Sequence, residues 1–301
     1  MTDHVDITAD QESDLLHLQQ TLHAHLEHLL PAGNPSDKVR AAMRAGTLAP
    51  GKRIRPLLLL LAARDMGCDL HQRGIFHLAC AVEMVHAASL ILDDIPSMDN
   101  ALMRRGRPTI HREYGENVAI LAAVALLSRA FEVIAVAPDL SAGQKTETIA
   151  ELSAAVGLQG LVQGQFQDLH DGAKSRSPDA VALTNELKTS VLFRATLQMA
   201  AIAADASPQV RENMRFFAQD LGQAFQLLDD LIDGCKHTGK DPFQDQGKST
   251  LVQLLGTQDA EQRLREHLRS AEGHLNSACD RGVATRQYMH ALFTQQLALC
   301  H

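Results

Sequence analysis

The sequence predicts an all-α fold, on three observations. Aromatic residues are only 4% of 301 and Trp is absent, whereas β-sandwiches and barrels draw on aromatic and β-branched side chains. Long Ala/Leu-rich stretches carry apolar residues at helical spacing, as in Leu78, Val82, Val85, Ser89 and Leu92, or Phe217, Leu221, Phe225, Leu228 and Ile232. No alternating run marks a strand. The expected architecture is a single all-helical domain over residues 1–301, a bundle of about ten or more helices.

The elements follow from the prolines, which fall at 31, 35, 50, 56, 96, 108, 138, 178, 208 and 242. Proline is poorly tolerated inside a helix, so each marks a boundary. Polar loops are expected near 31–37, 138–146 and 234–249. Leu78–Leu92 and Phe217–Ile232 lie within long core helices, and Asn185–Leu197 reads as helix. No Gly/Ser linker or low-complexity tract divides the chain.

Lys plus Arg number 28 against 36 Asp plus Glu, a net charge of −8, with 45% hydrophobic and 21% charged residues. That composition excludes a wholly disordered chain. The acidic balance argues against a nucleic-acid partner or a cationic membrane binder, although local basic clusters can still hold an anion. The start is polar and acidic (Asp3, Asp6, Asp10, Glu12, Asp14), unlike a secretory signal. The longest clearly apolar runs, Leu57–Ala63 and Val118–Leu127, fall short of the roughly 20 residues of a membrane span, so no transmembrane segment is expected. Five dispersed Cys without a C-x-x-C pair read as reduced thiols and a cytoplasmic location.

Two acidic clusters end apolar helices. The first is Asp93-Asp94-Ile95-Pro96-Ser97-Met98-Asp99 and the second Asp229-Asp230-Leu231-Ile232-Asp233. Asp229 and Asp233 share a helix face. Asp99 lies six beyond Asp93, and Pro96 breaks the helix so that it can swing back. A helix C-terminus is the wrong end for bunched carboxylates, so something must compensate. Mg²⁺ suits carboxylate oxygens and shares its coordination with substrate phosphates. One such cluster is as often a solvated helix end; two on apolar helices 136 residues apart point to a multiply charged anion such as a diphosphate.

Basic groups accompany them: Lys52-Arg53-Ile54-Arg55-Pro56, Arg104-Arg105-Gly106-Arg107-Pro108, Gly239-Lys240-Asp241 and Gly247-Lys248-Ser249-Thr250. Arg offers forked hydrogen bonds to phosphate and Lys a compact charge. The last string lacks the upstream Gly and strand of a P-loop. His86 shares the face of Asp93, Lys188-Thr189 sits in a helical stretch, and Gln226 is one turn before Asp230.

Together these residues resemble the trans-isoprenyl diphosphate synthase family, over about residues 45–256. Its motifs appear in order: Gly-Lys-Arg-x-Arg-Pro, Glu83…His86…Ser89…Asp93-Asp94, Arg104-Arg105, Lys188-Thr189, Phe225-Gln226…Asp229-Asp230-x-x-Asp233, Gly-Lys-Asp and Gly-Lys-Ser-Thr. The resemblance implies an isoprenoid-synthase helical bundle around a deep central cavity, a homodimer, and two or three Mg²⁺ per active site. The implied reaction condenses isopentenyl diphosphate with an allylic diphosphate. By the same resemblance Asp93, Asp99 and Asp229 match metal ligands, with Asp94, Asp230 and Asp233 supporting. Arg104, Lys188, Thr189, Gln226 and Lys240 match the allylic side, with Lys248 near the same phosphates. Lys52, Arg55, His86 and Arg105 match the isopentenyl diphosphate site. Ser190 and Asn100 are minor departures.

Product length depends on how deep the tail can go, and one helical turn descends about 5.4 Å. Ser89 is one turn below Asp93 with Ala88 beside it. Farnesyl-producing bacterial relatives tend to be aromatic at the position of Ala88. Its small side chain therefore resembles members that make the C20 geranylgeranyl diphosphate of carotenoid pathways; a floor at Met84 is the other reading. A C15 product and a non-catalytic partner subunit are the alternatives. A terpene cyclase is disfavoured by the two Asp-Asp clusters, and an HD-type phosphohydrolase by the lack of partners for His170-Asp171.

Overall fold

The fold was analysed in a computed structural model, which describes residues 9–32, 36–171, 174, 176–233, 250–279 and 283–298. The expected loop at 234–249, with Lys240 and Lys248, lies outside the described residues.

The chain opens with α1 (Ala9–Leu29) and α2 (Lys38–Leu48). Helix α3 (Ile54–Asp65) is buried along its whole middle, Leu57 through Ala63. Apolar residues all round a helix demand cover on every side, and α4 (Arg73–Asp93) and α10 (Val191–Ala203) pack against it. Helix α5 (Ile110–Tyr114) leads into α6 (Glu116–Ala135), the main partner of α4, and then α7 (Ala142–Val156). Helices α8 (Leu161–Asp171) and α9 (Pro178–Asn185) precede a π-helical turn at Glu186–Ser190 that runs into α10. Helix α11 (Pro208–Asp233) packs on α10 and, most extensively, on α13 (Thr257–Ala278), with α12 (Leu251–Leu255) between them in sequence and α14 (Val283–Leu297) closing the order. One continuous apolar core runs from Leu18 to Phe293.

Three expectations change. The loop at 138–146 is shorter, because Ser141 caps α7 in a capping box with Gln144. Second, there is a strand pair: β1 (Met103–Arg104) and β2 (Arg107–Pro108) form a two-residue antiparallel hairpin. Arg105 and Gly106 have φ of 53° and 75°, the left-handed pair that a tight hairpin turn needs; two residues per strand are too few to show alternation. Third, α4 and α6 are each long and apolar enough to cross a membrane by length and composition. Unbroken runs understate this, because single polar residues interrupt helices that remain apolar on average. In α4 the polar positions Glu83 and His86 face the protein, and 72% of its most apolar stretch is buried, against 39% for α6.

Candidate active site

The first acidic cluster is built by a broken helix. Asp93 ends α4, and after Pro96 the chain folds back so that Asp99 N donates to Asp93 O at 2.9 Å. The return expected from Pro96 is therefore made. Asp93 is pushed up to about 6, chiefly by burial; Lys188 and Arg104 oppose the rise while Asp99 and Asp94 add to it. Asp94 is buried. Both its oxygens accept from Arg104, from Nε at 2.9 Å each and from Nη2 at 2.7 Å. The hairpin turn is what delivers Arg104 to it.

The second cluster sits on unbroken helix. Asp229 is exposed and Asp230 half-buried near the end of α11, which Asp233 closes. Gln226 Nε2 donates to Asp230 Oδ1 at 2.9 Å, the one-turn pairing that the spacing predicts. In turn the Thr189 hydroxyl donates to Gln226 Oε1 at 2.9 Å.

The π turn joins the two clusters. Its extra residue per turn puts Lys188 and Thr189 on different tasks. Thr189 reaches the Gln226–Asp230 pair, whereas Lys188 is the foremost charge acting on Asp93 and pairs with Asp168 at 2.6 Å. The turn is clamped at close range. A Cβ on Gly164 of α8 would stand 2.5 Å from Lys188 N, and one on Gly222 of α11 would stand 2.3 Å from Ser190 Oγ. Both glycines let neighbouring helices touch the turn's backbone.

The cationic side lies at the start of α3. Arg55 stacks over the Phe193 ring at 4.5 Å. Burial lowers it to about 10, against the pull of Glu83 and Asp229. Arg105 Nη1 donates to Pro50 O at 3.2 Å. Burial, and then Arg55, Arg105, Arg104 and Arg53, drive His86 well below its usual range, so its imidazole is neutral near pH 7. Through these fields Arg55 senses Asp229 and His86 senses Arg104, so the basic side borders both clusters. Lys52 is exposed in the turn just before α3.

Helix α4 carries the expected chain-length positions into the apolar interior. Met84 and Ala88 have no exposed surface, and Ser89, half-buried, donates to His86 O at 2.9 Å. Two cavities are described: about 40 Å³ among Gln11, Arg64 and Tyr288, and an open one of about 450 Å³ by Asp171 and Arg176.

Sequence reasoning gave no role to Asp168, the partner of Lys188 twenty residues upstream, or to Gln165, whose Oε1 is buried without a hydrogen bond. Neither has a local signal beyond the closely packed Gly164. His170 and Asp171 do not form a metal centre: His170 stacks on Phe166, and Asp171 pairs with Lys174.

Among the described residues no three His, Cys, Asp or Glu converge as a ready metal cage. The donor set nonetheless fits Mg²⁺, which takes one or two carboxylates, waters and substrate phosphates. Asp93 beside Asp99 is a pair of hard oxygen donors, and the upward shift of Asp93 is the cost that a nearby cation relieves.

Comparison with known proteins gives consistent findings. The family model described as polyprenyl synthetase matches residues 36–281. The chain is 58% identical to a geranylgeranyl diphosphate synthase of Pantoea ananas, over 98% of this chain and 97% of that protein. It is 55% identical to a geranylgeranyl diphosphate synthase of Pseudescherichia vulneris, over 93% and 92%. The structure of a geranyltransferase from Helicobacter pylori, described as complexed with magnesium and isoprenyl diphosphate, superposes with a TM-score of 0.84 at 27% identity, over 97% of this chain and 99% of that one.

Proposed function

The chain belongs to the polyprenyl synthetase family, and on that premise we propose how its residues divide the work of the reaction. The protein is a trans-prenyltransferase that condenses isopentenyl diphosphate with an allylic diphosphate to give geranylgeranyl diphosphate. The division rests on one observation above the others: the π turn holds Lys188 toward Asp93 and Thr189 on the Gln226–Asp230 pair, so one short segment serves both clusters.

The allylic diphosphate lies between the clusters, bound by Arg104, Lys188 and the Thr189–Gln226 pair; the family resemblance adds Lys240 and Lys248 to its contacts. Asp93, Asp99 and Asp229 would hold Mg²⁺, two or three ions per site, assisted by Asp230 and Asp233. Bound there, Mg²⁺ would supply neutralisation of the charge on the leaving diphosphate. Asp94, with both oxygens engaged, holds Arg104 in place in this arrangement. When the allylic C–O bond breaks, the electron pair leaves with the diphosphate and the developing charge meets Arg104 and Lys188. At 4 Å each such pair is worth about 4 kcal/mol at an effective dielectric of 20. Isopentenyl diphosphate sits on Lys52, Arg55, Arg105 and neutral His86. Its double bond attacks the allylic cation, a C–C bond forms, and a proton leaves to the released diphosphate. The apolar surround keeps water from quenching the cation.

We also infer one domain, supported by the continuous core, and a cytoplasmic homodimer. On α6, Ile120, Leu121 and Val124 are exposed on one face, at 38%, 54% and 57%; a second copy covering that face accounts for an apolar stripe that is otherwise wetted. The test of the reaction is direct. Pure protein, Mg²⁺, isopentenyl diphosphate and dimethylallyl, geranyl or farnesyl diphosphate should give a C20 product. A C15 end-product or no elongation would overturn the C20 or the catalytic reading, respectively.

A further inference from the structure

One buried carboxylate has no task in the reaction as derived above. Glu83 lies on α4, three residues before His86, and is 3% exposed. It pairs with Arg53 Nη1. Arg53 itself caps α3 with φ of 51°, a conformation that a residue with a Cβ adopts only when something holds it there. Its other terminal nitrogen donates to Ala49 O at 2.6 Å. The pair therefore ties α4 to the segment 49–53, which carries Lys52 and leads directly into Arg55 on α3. Glu83 is also the foremost charge that holds Arg55 and Arg105 toward their protonated forms against burial. Without it, Arg55 and Arg105 lose the largest of the carboxylate charges that offset their burial and mutual repulsion.

We propose that Glu83 and Arg53 are positioning residues for isopentenyl diphosphate: the buried pair fixes the turn, and the Glu83 charge keeps Arg55 and Arg105 converged before the diphosphate arrives. The proposal rests on the assignment of Lys52, Arg55 and Arg105 to that diphosphate. Holding the cations together in advance removes a cost that the substrate otherwise bears on binding. The effect should therefore fall on this substrate and not on the allylic one, whose groups are braced by Asp94, Asp168 and Gln226.

The experiment compares Glu83→Gln, the double variant Arg53→Met with Glu83→Gln, and Lys52→Ala. For each, kcat and the KM of isopentenyl and of farnesyl diphosphate are measured with Mg²⁺, alongside thermal unfolding. In Glu83→Gln the KM for isopentenyl diphosphate should rise by about tenfold or more, while that for farnesyl diphosphate stays within about twofold. The double variant should match the single one, since the two side chains act as a unit. It leaves no unpaired charge, so it gives the same readout if the single variant does not fold. Glu83→Asp should restore part of the loss. If Lys52→Ala raises the isopentenyl KM and neither Glu83 variant does, the positioning role is overturned. Equal rises in both KM values would mean a merely structural pair and overturn it too. If Lys52→Ala leaves that KM unchanged, the substrate assignment itself is wrong.

Discussion

The two aspartate clusters share a chemistry and differ in how they are held. The first is bent, half-buried and braced by charge: Pro96 folds Asp99 back on Asp93, and Arg104 occupies both oxygens of Asp94. The second is straight and more exposed, and it is braced by neutral groups, Thr189 and Gln226 acting on Asp230. Bunched carboxylates can thus be held by a cation that grips one of them, as Arg104 grips Asp94, or oriented by an amide, as Gln226 orients Asp230. The first way fixes geometry tightly and makes the cluster depend on one arginine. The second makes it depend on α11 staying helical to Asp233.

Substitutions can break this comparison at several levels. The largest effect is expected from Asp93→Ala and Asp229→Ala. Each should lower turnover by on the order of 10³-fold at saturating Mg²⁺; wild-type rates in either would remove that residue from the metal-binding set. Next is Asp94→Asn against Asp230→Asn, read by thermal or denaturant unfolding. Asp94→Asn leaves Arg104 without its buried partner and should cost on the order of 3 kcal/mol of stability as well as activity. Asp230→Asn should leave stability within about 0.5 kcal/mol and raise the KM of the allylic substrate. Similar losses of stability in both would mean that the clusters are braced alike.

Ala88→Tyr should shift the main product from C20 to C15. Because Ala88 is fully buried, it should also cost about 1–3 kcal/mol of stability through overpacking. An unchanged product spectrum from the folded variant would move the floor elsewhere, with Met84 next to test.

The smallest effect concerns the support of the second cluster. Asp220 on α11 accepts from His267 Nδ1 on α13 at 2.9 Å. Burial alone would raise its carboxyl, but the hydrogen bonds from His267 and Ser270 bring it below the usual 3.8. A carboxylate lowered on folding contributes stability above its unfolded pKa and loses it as pH falls through the folded one. Asp220→Asn should therefore cost about 1 kcal/mol near pH 7, and the gap from wild type should close below pH 3.8. A gap that persists at low pH would separate this residue from the α11–α13 contact.

Much of this was legible in the sequence, for physical reasons. Leu57–Ala63 and Leu78–Leu92 announced buried helices through their apolar spacing, and Pro96 announced the fold of Asp99 onto Asp93. Gln226 and Asp230 are one turn apart, so their pairing was readable as well. Illegible were the partners brought together by tertiary packing: Asp168 for Lys188, Arg53 for Glu83, Phe193 beneath Arg55. The π turn was hidden because one inserted residue leaves the composition of a helix unchanged. The hairpin was hidden because two-residue strands have no period to show.

The hairpin at Met103–Pro108 has one more consequence. Arg104 turns to Asp94 and Arg105, the next residue, turns to Pro50, so the contacts proposed for the two diphosphates hang from consecutive α-carbons about 3.8 Å apart. Arg104 ends β1 while Arg105 opens the left-handed turn, so the two-residue turn sets where each points. Evolution can lengthen many surface connections freely, but a ribbon this short offers no slack: any insertion there would change where both arginines point.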